Sequence, residues 1–258
     1  MSDSPLRGVG IVITRPPRQA SALAQKLSSL GSRPLIFPAI AILPPFDRSA
    51  LERVQRELDN YDYAVFVSAN AVEYGVPDPA QWPPHLVAFA PGPGTAAALT
   101  AMGISNVRVP TTTLDSEGLL QLPEFADARG KRVVIFRGGV ARELLGDTLS
   151  VRGATVDYVD CYRRAKPDGD VAELLQAWRE RRIDAVTLTS SEGFDNLWTI
   201  LDQEGRSYFA RTPTFVTHAR IAGRARVVGV GQLIITPPAD AGLIASLLEY
   251  FATHSLPT

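Results

Sequence analysis

The sequence has a single cysteine, Cys161, so no disulfide can form within the chain and a disulfide-stapled secreted scaffold is excluded. Its three histidines, His85, His218 and His254, lie far apart and with one cysteine give no metal-ligand spacing, so no metal is expected. Neither sign of charge is in excess. A formal net charge of −1 leaves no global signature of a nucleic-acid partner or an acidic membrane surface, and neither partner is expected. An anionic ligand would therefore have to be held by a local arrangement of arginines and helix N-termini. No apolar run approaches the length of a membrane span. The first ten residues contain no apolar segment of signal-peptide length, and with the lone cysteine this leads to the expectation of a cytoplasmic protein. There is no P-loop and no serine nucleophile elbow. What the chain does have is 258 residues, 45% of them apolar and 21% charged, enough for two domains of ordinary size with full cores.

The chain also repeats itself. Gly8-Val9-Gly10-Ile11-Val12-Ile13-Thr14-Arg15 resembles Gly130-Lys131-Arg132-Val133-Val134-Ile135-Phe136-Arg137, at an offset of 122 from Gly8 to Gly130. The same offset carries Leu23 to Leu145, Leu27 to Leu149, Gly31 to Gly153, Asp62 to Asp184 and Ser68 to Ser190. Gly103 and Gly229 need an offset of 126, which implies a short insertion between them. A register kept over this span indicates two homologous halves.

Each half alternates strand and helix. Continuous apolar runs at 9–14, 64–67, 87–90, 133–136, 185–188 and 233–235 read as strands buried on both faces. Residues 20–30 place Leu23, Leu27 and Leu30 on one helical face, with Gly31 as the closing glycine, and Val171, Leu174, Leu175 and Trp178 repeat that spacing. The fold class is α/β, with two similar doubly wound parallel sheets and helices on both faces. Two extended segments interrupt the pattern. Residues 34–45 are bracketed by prolines, which cannot lie in a central strand. Their counterpart, 155–166, alternates Val156, Tyr158, Asp160 and Tyr162 before Pro167. Read as paired connectors, they predict a discontinuous first domain (1–36 plus 164–258), a second domain (42–158) and connector strands at 37–41 and 159–163. Ligands of such folds gather outside the carboxyl ends of the strands, here expected in the cleft between the halves.

The informative residues follow the strands. Ser68-Ala69-Asn70 and Ser190-Ser191-Glu192 each end a strand and open a helix, which suits both helix capping and the binding of an anion at the free amides of the helix start. Gly92-Pro93-Gly94-Thr95 leads into a helix at 96–102, where a glycine turn lets backbone amides approach a phosphate or carboxylate. It is half a dinucleotide fingerprint, with Ala97 where a third glycine often stands and Asp115 near the distance of a ribose-binding acid, though outside a second strand. Arg137-Gly138-Gly139, with Arg142 a turn on, ends another strand, and Arg15 is the partner of Arg137 in the first half. Arginine there suits carboxylate recognition, or a surface ion pair.

Taken in order, these stretches resemble the uroporphyrinogen-III synthase family. The resemblance rests on Ile13-Thr14-Arg15-Pro16, Phe66-Val67-Ser68-Ala69-Asn70-Ala71-Val72, Gly92-Pro93-Gly94-Thr95, Asp115-Ser116-Glu117-Gly118-Leu119-Leu120 and Phe136-Arg137-Gly138-Gly139. It continues through Cys161-Tyr162-Arg163-Arg164 and Leu188-Thr189-Ser190-Ser191-Glu192, so that it spans nearly the whole chain. One departure stands out: Thr217-His218-Ala219-Arg220 replaces a glycine-rich turn of the second half, leaving His218 or Arg220 to make side-chain contacts there, or His218 to cap the helix.

The resemblance implies a two-lobed fold, no cofactor, and hydroxymethylbilane as substrate, a linear tetrapyrrole with eight carboxylates. It implies a cyclising lyase that expels the hydroxyl as water, closes the ring and inverts the last pyrrole. A monomer is expected, with transient handover of the substrate from hydroxymethylbilane synthase. The substrate-binding set expected is Arg15, Ser68, Ala69, Asn70, Gly92, Gly94, Thr95, Arg137, Gly138, Arg142, Ser190, Ser191, His218 and Arg220. Tyr162 matches the connector tyrosine of the family and is the candidate acid, expected to face the cleft, with packing at the hinge as its other reading. Two rival functions remain at this point: a non-catalytic bilobal protein that binds a small anion, and a nucleotide-dependent enzyme using the turn at 92–95.

Overall fold

A computed structural model describes residues 4–139, 144–168 and 170–254. In chain order the strands are β1 (Gly10–Ile13), β2 (Arg33–Ile36), β3 (Ala41–Leu43), β4 (Tyr63–Phe66), β5 (Val87–Phe89), β6 (Val107–Arg108), β7 (Arg132–Arg137), β8 (Thr155–Asp160), β9 (Arg163–Ala165), β10 (Ala185–Leu188), β11 (Thr214–Val216) and β12 (Leu233–Ile235). The chain separates into two compact units. Unit 1 comprises Met1–Ala41 and Ala165–Thr258, and unit 2 comprises Ile42–Arg164.

Unit 1 holds a parallel sheet in the order β12-β11-β10-β1-β2, and unit 2 a parallel sheet in the order β6-β5-β4-β7-β8. The 122-residue offset turns β1 into β7, β2 into β8 and β10 into β4, so the order of one sheet is that of the other. Details repeat as well. The Asp184 carboxylate accepts the Gly10 amide at 2.8 Å, and the Asp62 carboxylate accepts the Arg132 amide at 2.9 Å, each bridging the two central strands of its sheet. Gly31 and Gly153 both adopt a left-handed φ, of +85° and +90°, after the helix that follows the first strand of each half.

Burial explains which runs became central strands. Every residue of β1 and β10 is buried, as the continuous apolar runs require of strands covered on both faces. β2 carries Pro34 and pairs with β1 alone, so the missing amide donor falls on a sheet edge. The strand β11 is absent from the sequence-based set. It is three residues long, too short for periodicity to register, and begins with a fully buried threonine whose hydroxyl is satisfied by Thr212 O at 3.0 Å.

The two extended segments are each divided. Residues 34–45 and 155–166 are not single linkers, because the first part of each is an edge strand: β2 pairs with β1, and β8 pairs with β7 out to Asp160. Backbone bonds from Phe37 and Ala39 to Ile13 and Thr14 prolong the first edge, and Cys161 N to Arg137 O prolongs the second. The strands that pair outside the two sheets are therefore β3 and β9, further along the chain than the expected 37–41 and 159–163. They are themselves related by the offset of 122.

Each unit has its own apolar cores. In unit 1, Val12, Val186, Phe194, Leu197 and Phe209 pack on one face of the sheet and Ile11, Ile13, Leu23, Leu27 and Phe215 on the other. In unit 2, Phe66 and Phe136 stack at 4.6 Å on one face, and Phe89 and Phe125 stack at 4.4 Å on the other. Among the described residues no helix is long and apolar enough to cross a membrane.

Candidate functional site

The expected residues lie at the carboxyl ends of the strands because a parallel strand that feeds a helix presents its turn there. After β4, Ser68 is the N-cap of the helix Ala69–Gly75, its Oγ accepting Ala71 N at 3.1 Å. After β10, Ser190 caps the helix Ser191–Ile200 through Gly193 N at 2.9 Å. Capping, one of the two readings open at this position, is realised in both halves. Ala69 and Asn70 occupy the first turn of the unit 2 helix and are partly buried. Ser191 opens the unit 1 helix, and its Oγ is buried without a hydrogen-bond partner among the described residues.

After β5, the helix Pro93–Ala101 starts at Gly92 with no side-chain cap. The first-turn amides of Gly94 and Thr95 have no carbonyl of the same helix to bond. Nothing lies within 4 Å of the place where a Gly94 Cβ would stand, so this backbone is open to a ligand. Its counterpart after β11 begins the helix Ala219–Val227, where His218 Nδ1 accepts Arg220 N at 3.1 Å. The imidazole thus caps the helix, and both His218 and Arg220 are exposed. Asp115 is a cap too: its Oδ1 accepts Glu117 N at 3.0 Å and Gly118 N at 2.9 Å. The one acid that gave the nucleotide reading a ribose ligand is committed to holding a helix start.

The two arginines are paired within their own units. Arg15, 14% exposed, bonds Asp240 at 2.5 Å, and Lys26 reaches the other oxygen of the same carboxylate at 3.2 Å. Arg137, 12% exposed, bonds Asp160 at 3.0 Å and lies 4.3 Å over the ring of Tyr158. Neither acid was in the expected set. Asp240 is 225 positions from its arginine, and no local pattern links them. Burial pushes the Asp240 carboxyl up, but the hydrogen bonds and charges of Arg15 and Lys26 outweigh it and hold the group below its ordinary 3.8. A carboxylate lowered in the folded state contributes stability above its unfolded value and loses it as pH falls through the folded one. The stability difference between wild type and Arg15→Gln is therefore expected at neutral pH and should shrink as pH drops below 3.8. Urea midpoints measured against pH check this, and a difference that grows with acid would refute it.

Unit 2 brings three candidates together. The backbone of Gly138 lies against the ring of Tyr162, since a Cβ on Gly138 would stand 2.2 Å from ring carbons Cε2 and Cζ. The Tyr162 hydroxyl is 3.2 Å from Ser68 Oγ, and its ring is tilted against that of Tyr74 at 6.2 Å. Tyr162 is only 2% exposed and packs into the apolar cluster of unit 2. Beside it Cys161 is buried, with its thiol donating to Arg137 O at 3.2 Å. Burial pushes this thiol up to about 12, a backbone hydrogen bond pulls the other way and Asp160 adds to the rise, so it is no thiolate nucleophile at neutral pH. Arg142 lies outside the described residues.

A cavity of about 620 Å³ opens in unit 1 at the amino ends of β10 and β11, lined by Trp178, Asp184, Tyr208, Arg211 and Tyr250 among others. It is at the opposite end of the strands from the capped turns, and none of the expected site residues lines it.

Comparison with known proteins bears on the whole chain. The family model described as Uroporphyrinogen-III synthase HemD matches residues 21–245. The uroporphyrinogen-III synthase of Salmonella typhimurium is 33% identical over 246 residues, which cover 93% of this chain and 100% of that protein. That of Escherichia coli is 32% identical with the same coverage. Among solved structures, uroporphyrinogen-III synthetase from Helicobacter pylori superposes with a TM-score of 0.55 at 13% identity, covering 94% of this chain and 99% of that one, a likeness of fold alone.

Proposed function

The chain belongs to the uroporphyrinogen-III synthase family, and from that premise we propose that it converts hydroxymethylbilane into uroporphyrinogen III in porphyrin biosynthesis. The reaction makes it a cyclising hydro-lyase. The hydroxyl leaves as water, a carbon–carbon bond closes the macrocycle and the last pyrrole is inverted. No electrons are gained or lost overall, so the chemistry calls for no redox cofactor. The observation that carries this reading is family membership along almost the full length of both halves.

Left alone, the activated bilane closes head to tail without inversion. The catalyst's main task is to bend the chain so that the substituted carbon of the last ring attacks, and positioning of this kind is worth as much as roughly 7–11 kcal/mol of a barrier. A substrate with eight carboxylates needs many anchors. Support for anchoring comes from the helix starts after β4, β5, β10 and β11, with the amides of Ala69, Asn70, Gly94 and Thr95 in unit 2 and the Ser190-Ser191 and His218-Arg220 turns in unit 1. Arg15 and Arg137 add positive charge at the ends of β1 and β7, held in place by Asp240 and Asp160. Tyr162 supplies the proton for departure of the hydroxyl, since a phenol is still protonated at neutral pH. All of these residues belong to one chain, so a monomer suffices. Spontaneous closure to the wrong isomer favours rapid handover from hydroxymethylbilane synthase, and a buried thiol as the only cysteine suits the cytoplasm.

The test is to generate hydroxymethylbilane in the same tube as the purified protein, oxidise the products and separate the porphyrin isomers. Predominantly isomer III is expected, and Tyr162→Phe should fold normally but turn over more slowly, by no more than the ~10²–10⁴-fold of a lost general acid. Isomer I alone, at the rate seen without protein, would remove the assignment and leave a binding protein.

A further inference from the structure

We propose that Ser68 is the group that hands the proton to the departing hydroxyl and that Tyr162 acts through it, a refinement that rests on the synthase reading above. Tyr162 is 2% exposed, while its hydroxyl lies 3.2 Å from Ser68 Oγ. Ser68 is only partly buried. A serine hydroxyl has one proton and two acceptor positions. Ala71 N–H takes one acceptor position at 3.1 Å. With the Tyr162 O–H donating into the other, the proton of Ser68 is the one left to point away from both, toward whatever occupies the turn.

The repeat provides a control inside the same molecule. At the offset of 122, Ser190 stands where Ser68 does and caps its helix in the same way, at 2.9 Å. The counterpart of Tyr162 is Ile40, a buried aliphatic residue near the same turn, its Cδ1 3.8 Å from the Cβ position of Gly193. The counterpart of Gly138 is Pro16. The fold thus needs neither a phenol nor a bare backbone at these places. Unit 2 has both, and they go together, because any side chain at 138 would occupy the space of the Tyr162 ring. Two coordinated departures from the repeat place one hydroxyl against Ser68, which a packing role would not require.

The proton of Ser68 passes to the leaving oxygen as the carbon–oxygen bond breaks, and the bond pair departs with water. The pyrrole nitrogen lone pair takes up the positive charge left on the substrate. The proton of Tyr162 moves to Ser68. Ring closure then forms the carbon–carbon bond, and the proton released when the pyrrole regains aromaticity returns through Ser68 to Tyr162. Ser68 is the catalytic residue here and Tyr162 a positioning residue and proton reserve.

The experiment is a double-mutant cycle on the full chain, with hydroxymethylbilane generated in the tube and both rate and isomer composition followed. Ser68→Ala should lower kcat about 10²-fold. Ser68→Asn keeps a good cap but has no hydroxyl, and should not restore kcat, whereas Ser68→Thr should. Tyr162→Phe should lose less, about 10-fold, and Ser68→Ala combined with Tyr162→Phe should be no slower than Ser68→Ala alone, the signature of residues acting in series. Ser68→Ala at wild-type kcat, or a double variant slowed by the product of the two single losses, would overturn the relay while wild-type formation of isomer III keeps the synthase reading. Wild-type protein yielding only isomer I would bring both down.

Discussion

Gly138→Ala is expected to reduce both stability and turnover. The new methyl would stand 2.2 Å from two carbons of the Tyr162 ring, a contact that cannot be held. The ring is enclosed by Tyr74, Ser68 and the strand end, so relief has to come from moving the ring off Ser68 or bending the end of β7. Overpacking of this kind costs about 1–3 kcal/mol. Either movement lengthens the 3.2 Å contact between the hydroxyls, so kcat should fall at least as far as in Tyr162→Phe. Adding Tyr162→Phe to Gly138→Ala should then change kcat little. Urea denaturation and the isomer assay read the two effects separately. A Gly138→Ala protein with wild-type midpoint and wild-type output of isomer III would mean that the ring does not sit against this backbone.

A still larger loss is expected for Gly10→Ala. Here the added Cβ would lie 1.7 Å from the carbonyl oxygen of Arg182 and 2.6 Å from its carbon, and neither belongs to a side chain that can swing away. Gly10 is also tied to Asp184 twice, by its amide to the carboxylate at 2.8 Å and by its carbonyl to the Asp184 amide at 2.8 Å. Separating the chains enough to admit a methyl breaks both ties and disturbs the register of β1 on β10. The cost should exceed about 4 kcal/mol, a large part of the roughly 5–15 kcal/mol that keeps a domain folded. Gly223→Ala is the contrast. Nothing lies within 4 Å of its Cβ position and it sits inside the helix Ala219–Val227, so it should gain about 0.5–1 kcal/mol. The same chemical change is thus predicted to act with opposite signs at two sites of unit 1. Denaturation followed by the fluorescence of Trp178 and Trp198 decides it, and similar midpoints for the two variants would contradict the packing described for Gly10.

The pairs that matter most at the candidate site were illegible beforehand for a common reason. Arg15 and Asp240 are 225 positions apart, and Ser68 and Tyr162 are 94 apart. Nothing in the residues near either member signals the other. Tyr162 itself could be singled out, through the resemblance, but not its enclosure, because a tyrosine on an alternating strand looks the same whether its ring faces a ligand or a glycine backbone. His218 is the opposite case. Its position before a helix made capping one of two readings, and local geometry alone was enough to realise it.

By itself the sequence determined the strands that are continuous apolar runs, the helices with a regular apolar stripe, the glycines that end them and the existence of a repeat. All of these depend on residues within a few positions of one another or on a register that can be counted. The tertiary structure alone decided that residues 34–45 and 155–166 each divide into a sheet edge and a separate pairing strand. It decided too that the two arginines related by the repeat meet carboxylates and that one half puts a buried phenol where the other has isoleucine. The physical reason is that hydrogen bonding and packing of distant side chains are set by how the sheets close in space, and a linear pattern carries the spacing of residues along the chain but not the distance between them across it.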